Sequence, residues 1–67
     1  MVHLLLVYQR SRGKLVIEQE FPTHAAARAD RFWYEQVYRN DPDLEIVVLS
    51  ADSIETIKQT HGRYWMS

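Results

Sequence analysis

The sequence contains no cysteine. That excludes disulfides and thiolate zinc sites as sources of stability, and it fits a reducing compartment. Charge of one sign is also lacking: eight basic residues face nine acidic ones, for a formal charge of −1. Non-specific nucleic-acid binding needs a clear excess of Lys and Arg, and so does adhesion to an anionic membrane surface. The apolar run Leu4–Val7 is too short for a signal peptide and has no basic region before it. No stretch approaches the ~20 apolar residues of a spanning helix. These features together predict a cytoplasmic protein without a membrane association. There are no internal repeats, linkers or low-complexity segments.

Chemistry-bearing constellations are equally scarce. The three histidines, His3, His24 and His61, are too scattered for a metal cage. Asp52 and Ser53 have the ordinary task of starting a helix, and His61 falls near its end, where it interacts favourably with the helix dipole. Glu18 and Glu20 share one face of a strand with no pocket implied, so acid–base work is not expected of them. No catalytic residue, metal or cofactor is expected, and the chain reads as a non-enzyme.

What remains is size and apolar content. A chain of 67 residues is a single domain. It buries only about 60% of the surface its unfolded form exposes. Domains this small usually need a staple, and with disulfides and metals excluded, a partner surface is the leading source of extra stability and an unusually efficient core the competing one.

Along the chain, Val2–Gln9 alternates Val2, Leu4, Leu6 and Tyr8 against His3, Leu5, Val7 and Gln9. Both sets are largely apolar, the pattern of a central strand. Arg10-Ser11-Arg12-Gly13 reads as a turn, with Gly13 free to take positive φ. Lys14–Phe21 reads as an edge strand, with Leu15, Ile17 and Phe21 on one face and Val16, Glu18 and Glu20 on the other; the acids discourage open-ended pairing. Thr23 is a suitable cap for a helix running to about Asn40, where Asp41-Pro42 stops it. Leu44–Leu49 is a third strand. Asp52 and Glu55 have capping-box spacing for a second helix carrying Ile54, Ile57 and His61; Gly62 favours a stop there, while Tyr64 and Trp65 keep the same spacing and leave a continuation through Gly62 open.

The expected fold class is therefore α+β, in the order ββαβα. Strand one, the most apolar, lies in the middle of a three-stranded antiparallel sheet of order 2-1-3. The crossover from strand two to strand three is expected to be right-handed. Both helices are expected on one face, which leaves apolar area on the other and points to a dimer.

The first helix carries more aromatic residues than one core stripe requires. Ala26, Ala29, Trp33 and Val37 form the expected core face. Arg31, Tyr34 and Tyr38 lie on a second stripe with Ala27. They are the candidate protein interface, since Tyr and Arg combine contact area with polar reach; the other reading packs these tyrosines within the chain. Phe32 sits away from both stripes. A second candidate surface is nucleic-acid binding by the hairpin residues Arg10, Arg12 and Lys14 with Arg28 and Arg39 on the helix, diluted by Glu18, Glu20, Asp30 and Glu35. Trp65 either closes the core beneath the first helix, the favoured expectation, or inserts into a partner.

The segments Ala51-Asp52-Ser53, Thr60-His61 and Arg63-Tyr64-Trp65 resemble the ending of short proteins of actinobacteria and their phages, with Trp65 where Phe is expected. The hairpin and the Phe21-Pro22-Thr23 helix entry are compatible with that family. The resemblance implies a bacterial or phage cytoplasmic setting. It brings no assigned activity, so it transfers no functional residue. Sequence alone therefore points to a self-associating interaction module, a homodimer able to act as a regulator or accessory factor for another protein, with nucleic-acid binding as the alternative.

Overall fold

The computed structural model describes residues 1–66. Three strands, β1 (Val2–Gln9), β2 (Lys14–Phe21) and β3 (Leu44–Ala51), combine with two helices, α1 (His24–Val37) and α2 (Ile54–Thr60), and a short 3-10 segment follows at Gly62–Trp65. The sheet is antiparallel throughout with order β2-β1-β3, so the fold is α+β as the pattern of apolar residues requires.

β1 explains the layering. Leu4 and Leu6 point to one face and Leu5 and Val7 to the other, and all four are buried. Each such side chain contributes about 1.5–3 kcal/mol when withdrawn from water. Leaving either pair bare would forfeit much of the margin of a domain stable by about 5–15 kcal/mol. The chain accordingly covers both faces, and the expectation of two helices on one face is corrected. Ile57 of α2 and Tyr64 of the 3-10 segment close over Leu4 and Leu6, joined by Val47, Leu49 and Ala51 of β3. On the opposite face α1 lies over Leu5 and Val7. It packs mainly on β3 and β1, with Ala27 fully buried and the His24 ring 5.9 Å from that of His3.

Local chemistry sets the boundaries. Thr23 accepts a hydrogen bond from the Ala26 amide at 3.1 Å, the expected cap. α1 ends at Val37 with Tyr38 as its cap, short of Asn40, because turns at Tyr38–Asn40 bring the chain round before Pro42. Ser53, not Asp52, caps α2: its hydroxyl accepts from the Thr56 amide at 3.1 Å. β3 runs on to Ala51 because Ser50 and Ala51 pair with His3 and Val2. α2 stops at Thr60, before Gly62. Gly13 takes φ 59° in the hairpin turn.

A β-bulge corrects the expected faces of β2. Val7 lies opposite Ile17, but Tyr8 lies opposite Leu15, so Val16 is the extra residue. The insertion rotates the strand. Leu15 moves to the α2 side and packs against the Leu4–Tyr64 cluster, while Ile17 stays beneath α1. Trp65 closes the same cluster, on the face away from α1, and its indole N–H donates to Glu18 at 2.9 Å.

Candidate protein-interaction surface

α1 carries two apolar sides with different fates. The side toward the sheet is led by Ala27, which has no bulk beyond Cβ and lets the helix backbone approach Leu5 and Val7. Tyr34 and Tyr38 follow on that side, half-buried, with rings stacked at 6.1 Å and 4°. A Tyr can lie along a sheet and keep its hydroxyl wet, so these residues fill the inner side without an apolar stripe. The stripe expected to be core is displaced outward: Ala26 is half-buried, but Ala29 is exposed, Trp33 is 57% exposed and Val37 is 52% exposed. Phe32 is 64% exposed on the outermost line of the helix.

Phe32, Trp33 and Val37 together present on the order of 300 Å² of apolar surface, a size at which patches on small proteins are often functional. Trp33 is braced in place, edge-on to the Tyr34 ring at 4.9 Å. Tyr34 thus supports Trp33 from beneath, and Tyr38 stacks on Tyr34. Arg31 is exposed on the line of the helix that carries Ala27 and Tyr38, away from Trp33 and Val37, and lies 3.6 Å from Glu35, one turn on.

The basic residues are dispersed. Arg10 stays exposed but is engaged, donating to the Pro42 carbonyl at 2.7 Å and lying 3.5 Å from Glu45. Ser11 donates its amide and hydroxyl to Asp43, at 2.7 and 2.6 Å, and these bonds hold the Asp43 carboxyl below the usual range. Arg12 and Lys14 remain exposed at the hairpin, and Arg28 and Arg39 are exposed on and just beyond α1. Arg10 and Arg39 meet across an open groove of about 310 Å³ at the end of α1, but Glu35 and Asp41 line it too.

One polar cluster escaped sequence reasoning. Glu45 accepts from the Tyr64 hydroxyl and from Arg63, both at 2.6 Å. Its only signal in the sequence is an acid interrupting an apolar strand. The Tyr64 hydrogen bond, then Arg63 and Arg10, lower its pKa against the opposing effect of burial. Burial, then Glu45, raises that of Tyr64. A carboxylate held ionised in this way is a poor proton acceptor. Its role here is to tie the C-terminal segment to β3, with Tyr64 edge-on to Tyr8 at 5.2 Å.

The histidines form no such centre. His61 caps α2 and is exposed, and His3 shares a 2.8 Å hydrogen bond with Ser50. Among the described residues no group of three or more His, Cys, Asp or Glu is placed to hold a metal, and no helix is long and apolar enough to cross a membrane. No family model matches this chain, and comparison with curated proteins and with solved structures found no significant match.

Proposed function

We propose that this chain is a small non-enzymatic interaction module that associates with itself as a homodimer, and that the same surface serves a regulator or accessory role toward another protein. The observation that carries this reading is the exposed position of Phe32, Trp33 and Val37 on α1. Both faces of the sheet are already covered, so these side chains have no use in closing the core. Aromatic anchors flanked by Arg are the residue types that dominate protein contacts. Tyr34 braces Trp33 from beneath, with Tyr38 stacked on Tyr34, and Arg31 lies on another line of the helix.

The test is concentration-dependent mass by analytical ultracentrifugation of the parent chain and of the Phe32→Ser/Trp33→Ser variant. Dimerisation that disappears in the variant supports the reading, and identical behaviour of the two rejects it.

The exposed Arg12, Lys14, Arg28 and Arg39 support the nucleic-acid alternative. It requires binding that weakens steeply with salt. Mobility-shift measurements at low salt, with single- and double-stranded DNA and RNA, decide it: no shift removes it.

A further inference from the structure

The outward side of α1 is complementary to itself. Ala25, Ala29, Phe32 and Gln36 recur at alternating intervals of four and three residues, the spacing of a two-helix seam. All four are exposed, while Ala27 and Tyr34, which face the sheet, lie on the side away from that seam. On one flank of the seam stand Arg28 and Glu35; on the other stand Ala26 and Trp33.

Running two such helices antiparallel about a two-fold axis matches both size and charge. Ala29 comes level with Phe32 of the second copy, so each large side chain meets a small one, and Ala25 comes level with Gln36. On one flank Arg28 meets Glu35 of the second copy, and the symmetry repeats the pair. On the other flank Trp33 lies over Ala26. A parallel arrangement loses this: it stacks Ala29 on Ala29 beside Phe32 on Phe32, and it brings Arg28 toward the Trp33 flank. A contact that matches when one surface is turned on itself is the mark of an isologous dimer.

We infer that the occupant of the outward side of α1 is the same side of α1 in a second copy of this chain, packed antiparallel and fixed in register by reciprocal Arg28–Glu35 pairs. This inference rests on the association reading and specifies its geometry. The seam spans only the 14 residues of α1, too few for isolated helices to hold together. Here α1 is already held on the sheet, so little ordering opposes the contact.

Charge reversal tests the register. Arg28→Glu places acid opposite acid at both symmetric positions, and Glu35→Arg places base opposite base. Each variant alone is expected to dissociate about tenfold more readily than the parent. An equimolar mixture is expected to recover parental affinity as a heterodimer, because both symmetric positions then again set one acid against one base. Both sites are exposed, and an unchanged far-ultraviolet circular dichroism spectrum checks that each variant folds. A dimeric parent whose two variants dimerise equally well overturns the register and leaves the association reading standing. Weakened variants whose mixture does not recover overturn the Arg28–Glu35 pairing. A parent monomeric at every concentration overturns both inferences.

Discussion

Ala27 and Phe32 lie on opposite sides of α1, the first fully buried against the sheet and the second 64% exposed. This relationship sets the orientation of the helix. One of the helix's four alanines goes inward at the point of close approach, and Phe32 and Trp33, its largest apolar side chains, go outward.

That orientation predicts opposite responses from two alanines. Ala27→Leu forces extra bulk between α1 and β1 and is expected to lower stability by about 1–3 kcal/mol. Ala29→Leu adds bulk at a position exposed in the single chain, so its effect on unfolding at concentrations too low for dimers is expected within about 0.5 kcal/mol. Urea unfolding of both variants checks this, and equal losses would contradict the observed rotation of α1.

The sequence disclosed the strand order and element types because β1 is apolar at every position from Leu4 to Val7, and only a central strand tolerates that. The same fact was the reason to cover both faces, but strand periodicity does not say where a helix will dock. The rotation of α1 was hidden for a related reason. Trp33 and Val37 are more hydrophobic than Tyr34 and Tyr38, with alanine on both sides, so a ranking by hydrophobicity selects the wrong side, whereas docking rewards a small residue at the point of closest approach. The bulge at Val16 left no sequence signal. The hydrogen bond from Tyr64 to Glu45 joins residues distant in sequence and was visible only as a misplaced acid.

Glu45 makes stability depend on acidity. Hydrogen bonding to Tyr64 and Arg63 lowers its pKa in the folded chain relative to the unfolded one. The unfolded state therefore binds the proton more readily, so this contribution is present above the unfolded carboxyl pKa. It is lost as pH falls through the lower folded value. Stability measured by denaturant from pH 7 to pH 3 is expected to fall at the acid end, and Glu45→Gln is expected to flatten part of that fall. A variant curve parallel to that of the parent would contradict this linkage. Tyr64→Phe removes the principal donor and is expected to cost about 1–2 kcal/mol at neutral pH.

The cap assignment at α2 separates two adjacent residues. Ser53→Ala removes the acceptor for the Thr56 amide and is expected to cost about 1 kcal/mol. Asp52→Ala, at an exposed position outside the helix, is expected to cost less. Thermal unfolding of the pair checks the order, and the reverse order would return the cap to Asp52.

Gly13 occupies positive φ at 59°, and a Cβ there would lie 3.4 Å from the Tyr8 hydroxyl. Gly13→Ala is expected to destabilise by about 1 kcal/mol, mainly from backbone strain. Equal stability in thermal melts would contradict the left-handed turn.

The central claim is that the exposed side of α1 joins two copies of this chain. Light scattering during size exclusion, over a wide range of protein concentrations, tests it most directly. The account predicts a mass that rises from one to two chains with concentration, and a shift toward one chain on Phe32→Ser/Trp33→Ser. A mass of one chain at every concentration would contradict it.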